Sequence, residues 1–274
     1  MTVKSTNHKG LQIIACVKVV PRPEEVVVDQ ATATLDRANA RSLINPPDMN
    51  LLEVALELKD LHGGEVTLLS MGPPLFEPYL RVAMAMGADR AVLLSDRAFA
   101  GADTLATSYT LAEGIRKIGR YDLILCGEES SDGATAQVPP GIAEWLDIPQ
   151  VTYAGVLEIV DGKLKAEREV RGGHEVLLVP LPAVASIRVG INEPRFIDFD
   201  RKPWAEKEAP VTVWTARDLR LDEDKIGLKG SATTVSGLGQ ARAADRQRQM
   251  VQGNPEQEAR VLFEKIQGFL HKGA

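Results

Sequence analysis

At 274 residues the chain is long enough for one large α/β domain, or one domain with an appendage, and buries roughly three quarters of its unfolded surface. With 44% hydrophobic and 26% charged residues and a mean hydropathy of −0.10, it has the composition of a globular protein in water. A net charge of −6 and a pI near 5.4 argue against a nucleic-acid partner, and no apolar run approaches the ~18 residues of a membrane span.

The opening MTVKSTNHKG lacks the apolar centre of a signal peptide and the arginines of a transit peptide, which predicts a cytoplasmic protein. Leu11–Val20 (LQIIACVKVV) is a β-branched apolar run, as expected of a strand buried on both faces. Residues 21–42 show no clean period. NPPDMN then brakes the chain and offers Asp48 or Asn50 as a helix cap. Leu51, Val54, Ala55, Leu58 and Leu61 follow at helical spacing, and Gly63-Gly64 ends the pattern. Glu65–Met71 is a second strand, broken by Gly72-Pro73-Pro74, with a helix from about Leu75 to Met86 behind it. Arg90–Ser95 is a third strand, followed by a helix beginning at Asp103 or Thr104 and running to about Ile118. Tyr121–Cys126 is a fourth. The two cysteines, Cys16 and Cys126, both fall in strands and read as buried reduced thiols. This alternation predicts right-handed βαβ units and a doubly wound, Rossmann-like parallel sheet.

From Val151 the rhythm changes. Val156–Val160 and Leu164–Val170 flank Asp161-Gly162, a strong hairpin signal, and Pro182–Val189 reads as another strand. Past Asn192 the prolines at 194, 203 and 210 and the charged clusters leave only short apolar pieces. The expected organisation is an α/β domain with a β-hairpin extension over 1–195 and an extended C-terminal arm over 196–274. The arm closes with a polar stretch, Arg242–Gly253, and an amphipathic helix, Glu256–Leu270.

In a doubly wound sheet, ligands bind at the carboxyl ends of the strands. The loops Asp96–Thr107 and Gly127–Pro140 are small, polar and glycine-containing, and both run into helices. Amides at a helix start with nearby hydroxyls make a phosphate site; the alternative is that these loops only cap helices. Pro139-Pro140 fits the first turn of a helix, which places Asp132–Val138 at that helix's N-terminus. No Walker loop, no G-x-G-x-x-G after the first strand and no G-x-S-x-G elbow occurs. His8, His62, His174 and His271 are dispersed, so no metal site is expected.

Eight segments, in order, carry a resemblance: CVK at Cys16–Lys18, NPPD at Asn45–Asp48, SMGPP at Ser70–Pro74 and AMGADRAVLLSD at Ala85–Asp96, then DLILCG at Asp122–Gly127, DGATAQV at Asp132–Val138, IPQVTY at Ile148–Tyr153 and NEPR at Asn192–Arg195. Over about residues 11–235 the chain resembles the electron transfer flavoprotein β subunit. The resemblance implies a non-catalytic, nucleotide-binding half of a heterodimer, with its arm lying on an α subunit that holds the electron-transferring FAD. It implies a nucleotide contacted by Cys16, Asn45 to Asp48, Met71, Glu129, Asp132, Gly133, Ala134, Thr135, Ala136, Gln137 and Val138. That nucleotide is AMP in ordinary members and a second FAD in electron-bifurcating ones, where the flavin meets NADH. Ser95–Leu111 looks more like the bifurcating branch, which adds Asp103, Thr104 and Thr107 to the expected FAD contacts. The family loop usually has an acid at Ala134 and Gly at Pro139, so the two chains differ there. The resemblance also implies a recognition loop, Ile191, Asn192, Glu193, Pro194 and Arg195, in which Ile191 plugs into an acyl-CoA dehydrogenase or related oxidoreductase; alternatively, Ile191 ends a core strand. A stand-alone nucleotide-binding α/β protein is the reading from a different class.

Overall fold

A computed structural model describes residues 10–22, 27–29, 34–36, 41–234 and 249–270. The opening residues 1–9, His271 and residues 242–248 of the polar stretch lie outside the described residues. β1 (Leu11–Cys16) sends Ile13 and Ala15 to one core layer and Ile14 and Cys16 to the other. The predicted strand Leu11–Val20 is two strands: Val19–Pro21 forms β2, which leaves the sheet plane and pairs antiparallel with β5 (Ser42–Ile44). Between them β3 (Val27–Asp29) and β4 (Thr34–Asp36) pair with each other.

α1 spans Pro46–His62. Its first two positions are prolines, whose missing N–H is unneeded there, so the helix starts ahead of the predicted caps. Asn45 holds the cap position without a capping hydrogen bond, and Asp48 and Asn50 are buried within the helix. That leaves both side chains available for tertiary contacts. Gly63 ends α1 at φ 68°, and Leu61, expected in the core, is exposed. β6 (Gly64–Met71) follows, then a 3₁₀ turn at Pro74–Phe76 where a regular helix was expected, and α2 (Glu77–Met86). β7 (Arg90–Leu94), α3 (Thr104–Ile118), β8 (Leu123–Gly127) and α4 (Val138–Leu146) complete the repeating part.

β9 (Gln150–Val160) and β10 (Lys163–Val170) form the predicted hairpin, with Asp161 and Gly162 both at positive φ as a type I′ turn requires. β11 (Gly173–Pro180), not anticipated, extends it as a third antiparallel strand, and β12 (Ala183–Ile187) returns to the parallel sheet. Residues past 195, expected as an arm, supply α5 (Lys202–Lys207), β13 (Val211–Trp214) and α6 (Ala216–Leu219). The sheet order is β11-β10-β9-β12-β8-β1-β6-β7-β13, and β9 and every strand from β12 to β13 run parallel. α1, α2 and α5 cover one face, while α3, α4 and α6 cover the other, so each layer has its own apolar cluster. The fold is α/β and Rossmann-like.

The chain divides into compact units at 1–237 and 238–274. In the second, α7 (Pro255–Leu270) starts at a reciprocal cap in which Asn254 and Gln257 each accept the other's backbone N–H, and it exposes Leu262, Phe263 and Ile266.

Candidate functional site

Strand order reverses between β1 and β8: the chain goes from β1 to β6 and β7 on one side, and after β8 it adds β9 to β12 on the other. The loops at their carboxyl ends therefore diverge and leave a crevice. Cys16 and Cys126 sit side by side on its floor, both buried and both free thiols. A hydrogen bond with Cys16, together with burial, pushes the Cys126 thiol up, which keeps it protonated.

The N-terminus of α1 meets this crevice. Asp48 accepts the Lys18 N–H at 2.6 Å through Oδ2 and the Asn45 amide at 2.9 Å through Oδ1. Burial raises its pKa to about 7; the bonds from Asn45 and Lys18 oppose that rise, and Asp132 adds to it. Asn45, 1% exposed, also donates to the Glu129 carbonyl at 2.9 Å and accepts the Ser131 N–H at 3.0 Å. Gly127 lies against the pair: a β-carbon built there would overlap the Asp48 carboxylate. Outside, the Lys18 ammonium pairs with Asp132 at 2.5 Å and donates to Ser130 Oγ at 3.2 Å.

The loop so held leads to α4. Ala134 and Ala136 have positive φ, 46° and 54°, on either side of Thr135. Alternation of this kind turns consecutive N–H groups toward one side, and each non-glycine residue there stores on the order of 1–2 kcal/mol of strain. Among the described residues no acceptor lies on the amides of Thr135, Ala136, Gln137 and Val138, and Pro139 and Pro140 have none to satisfy. This donor set suits a phosphate or pyrophosphate, which needs several N–H groups rather than a single cation. Gly133, Ala134 and Thr135 are exposed to incoming ligand, as is Gln137.

The remaining expected contacts divide. Thr104 Oγ donates to Gln137 Oε1 at 2.9 Å, joining the starts of α3 and α4, and Thr107 stands on the next turn. Met71 ends β6, one strand from β1. The Asp103 carboxylate is already engaged: it caps α3 by accepting from Leu105 and Ala106, and it accepts the Thr233 N–H and hydroxyl. Partial burial favours its neutral form, but these hydrogen bonds outweigh it and hold the carboxyl below the usual range. Asp103 N–H donates to Ser231, which fastens the segment near residue 231 onto this corner.

The NEPR loop lies against α1. Asn50 donates to Asn192 at its carbonyl and side-chain oxygens (2.8 and 2.9 Å) and accepts the Gly190 N–H. Glu53 takes the Arg195 backbone N–H at 2.8 Å and its guanidinium at 2.9–3.0 Å, while Asp60 accepts from the same guanidinium. Ile191, the expected anchor, is half-buried and packs against the core, whereas Phe196 is 93% exposed. Glu193 and Pro194 are exposed between these points. The sequence reading named Lys18 and Gly127 only within segments and Asn50 only as a cap, and Glu53 escaped it. The one available signal was Glu53, an acid set among the apolar positions of Leu51–Leu58, where a charge requires a partner.

Residues 32–219 match the electron transfer flavoprotein domain. The chain is 47% identical to the electron transfer flavoprotein subunit beta of Clostridium acetobutylicum over 225 residues, 82% of this chain and 86% of that one. The chain belongs to the electron transfer flavoprotein β-subunit family. It is also 44% identical to the caffeyl-CoA reductase-Etf complex subunit CarD of Acetobacterium woodii (82% and 86% covered). It is 41% identical to protein FixA of Azorhizobium caulinodans (93% and 94% covered). For an electron transfer flavoprotein β subunit the match extends across both the switch-point crevice and the NEPR loop. Among the described residues no helix is long and apolar enough to cross a membrane.

Proposed function

We propose that this β subunit binds FAD at the β1/β8 crevice, with the AMP portion of the cofactor against the 135–138 amides, and works as one half of a heterodimer with an electron transfer flavoprotein α subunit. The observation that supports the reading best is the run of unpaired amides over Thr135–Val138, held at the point where strand order reverses. FAD supplies the electron-transfer chemistry, and the chain supplies position and electrostatics. Met71, Thr104 and Thr107 flank the bound nucleotide, Cys16 forms the floor, and Gly133 lets the loop approach closely. Asp103 serves by fixing the start of α3. Electrons pass between NADH or an acyl-CoA dehydrogenase-type oxidoreductase and a second acceptor, by flavin-based bifurcation, in a cytoplasmic complex. The likeness to CarD, a subunit of a caffeyl-CoA reductase-Etf complex, supports an acyl-CoA-type oxidoreductase as the partner. The NEPR loop is where that partner docks, and the C-terminal arm with its last helix, α7, packs on the α subunit.

The phosphate end of the site would serve AMP equally, so an AMP-holding electron shuttle is the second reading. Co-expression with the α subunit, followed by chromatography of released nucleotides, separates the two. Two FAD and no AMP per heterodimer supports bifurcation and makes NADH oxidation the next assay. One FAD with one AMP identifies a plain shuttle, and a well-folded complex without flavin refutes the function.

A further inference from the structure

Two side chains at the crevice are saturated. Asn45 is 1% exposed and Asp48 4% exposed. The Asn45 amide nitrogen donates to Asp48 and to the Glu129 carbonyl, and its oxygen takes the Ser131 N–H. Both Asp48 oxygens are occupied, one by Asn45 and one by the Lys18 N–H, with Gly127 closing the remaining side. Neither side chain has surface left for a ligand, and each of its polar atoms already has a partner. Yet between them they tie together the chain leaving β1, the chain leaving β8 and the start of α1. We propose that Asn45 and Asp48 are positioning residues for the nucleotide: they fix the 129–131 segment, and through it the aim of the 135–138 amides, without touching the bound phosphate. This rests on the nucleotide-binding reading above.

The pair also has an electrostatic consequence. The charged and titratable groups around Asp48 are Lys18 and Cys16 from the β1 side, Cys126 from β8 and Asp132 from the loop. Lys18 acts on Asp48 but pairs with Asp132, so it offsets a negative charge on Asp48 only in part. Protonated, Asp48 leaves the crevice neutral toward an incoming phosphate. Ionised, it opposes that phosphate with a charge poorly screened by solvent. Repulsion between two unit charges at an effective dielectric of about 20 corresponds to about a tenfold loss of affinity. Nucleotide uptake is therefore coupled to keeping a proton on Asp48, and affinity falls as pH rises through neutrality.

The test titrates AMP, and separately FAD, by calorimetry into the heterodimer freed of bound nucleotide, using wild type, Asn45→Ala and Asp48→Asn at pH 6.0 and 8.5. AMP's own phosphate titration is common to all three proteins, so ratios between them isolate the side chains. Asn45→Ala is expected to weaken AMP at least tenfold and to speed exchange of the Ser131 amide. The ratio of wild-type to Asp48→Asn affinity is expected to fall about tenfold from pH 6.0 to 8.5. Wild-type affinity in Asn45→Ala, or a ratio unchanged with pH, overturns the inference and leaves nucleotide binding standing. A wild-type heterodimer that takes up neither nucleotide overturns the function and this inference with it. Asp48→Asn keeps the size of the side chain and loses one acceptor at both pH values alike, so the pH ratio can be read even if Asn45→Ala fails to fold.

Discussion

The contact between Glu53 and Arg195 should behave as a buried ion pair with unequal partners. The Glu53 side chain is 7% exposed and that of Arg195 33% exposed. Arg195 has a second acceptor in Asp60, whereas Glu53 depends on Arg195 for its charged bonds. Arg195→Met leaves a carboxylate in the core with only the residue 195 backbone N–H as donor, a loss of about 3 kcal/mol. Glu53→Gln leaves a guanidinium that still reaches solvent and Asp60, a loss of about 1–2 kcal/mol. The double variant removes both charges, so it should be more stable than the summed losses predict, by about 2 kcal/mol of coupling. Urea unfolding at pH 7, followed by tryptophan fluorescence, measures all four corners of the cycle. Because Asn50 and Glu53 hold Gly190 and Arg195, hydrogen exchange at those two amides should quicken in either single variant. Two single losses below about 0.5 kcal/mol, adding without coupling, is what an ordinary surface pair gives. That result would refute the argument.

Three further outcomes follow from the same geometry. The folded-state pKa of Asp48, about 7, lies above its unfolded value of 3.8, so the folded chain holds an extra proton between those pH values. Stability should therefore fall as pH rises from about 4 to 7, by about 4 kcal/mol at most, then level off; Asp48→Asn should lose this slope, and parallel curves for the two proteins would count against it. Gly127→Ala must displace Asp48, since the new methyl overlaps its carboxylate, and should cost about 1–3 kcal/mol in thermal unfolding; an unchanged melting temperature would show the crevice is looser than described. Asp103→Ala removes the α3 cap and the tie to Thr233, costing about 1–2 kcal/mol and speeding exchange at Thr233. Its carboxyl is held low, so that contribution should be present above the unfolded carboxylate pKa and lost as pH falls through the folded one.

What the sequence disclosed depended on how far apart the interacting residues stand. Strands β6 to β8 and helices α1 to α3 were legible because their apolar periods and their Gly or Pro stops are local signals. The loops bearing the site were legible for the same reason: they follow strands and run into helices. β13 was not, being four residues between Pro210 and a capping box at Thr215, too short for a period to declare itself, and joined to β7 only by long-range pairing. β11 was blurred because apolar residues occupy both of its faces, with Val176 and Leu178 exposed. Asp48 and Asn50 misled because polar residues after a proline pair read as caps, while the prolines themselves supply the helix start. The Lys18–Asp132 and Glu53–Arg195 pairs span 114 and 142 residues, beyond the reach of any pattern in the chain.

These long-range bonds share one support. Asn45 and Asp48 at the start of α1 fix the loop after β8, and Asn50, Glu53 and Asp60 along the same helix fix the NEPR loop. The two loops lie about sixty positions apart in sequence, yet both take their shape from one seventeen-residue helix. This explains why polar side chains are tolerated on the inner surface of α1, where apolar residues would pack at less cost: each is matched by a partner on a loop that has little local structure of its own. α1 thus serves as a template as well as core packing. The spacing of its polar residues, rather than its hydrophobic face, sets where the loop after β8 and the NEPR loop stand relative to the sheet.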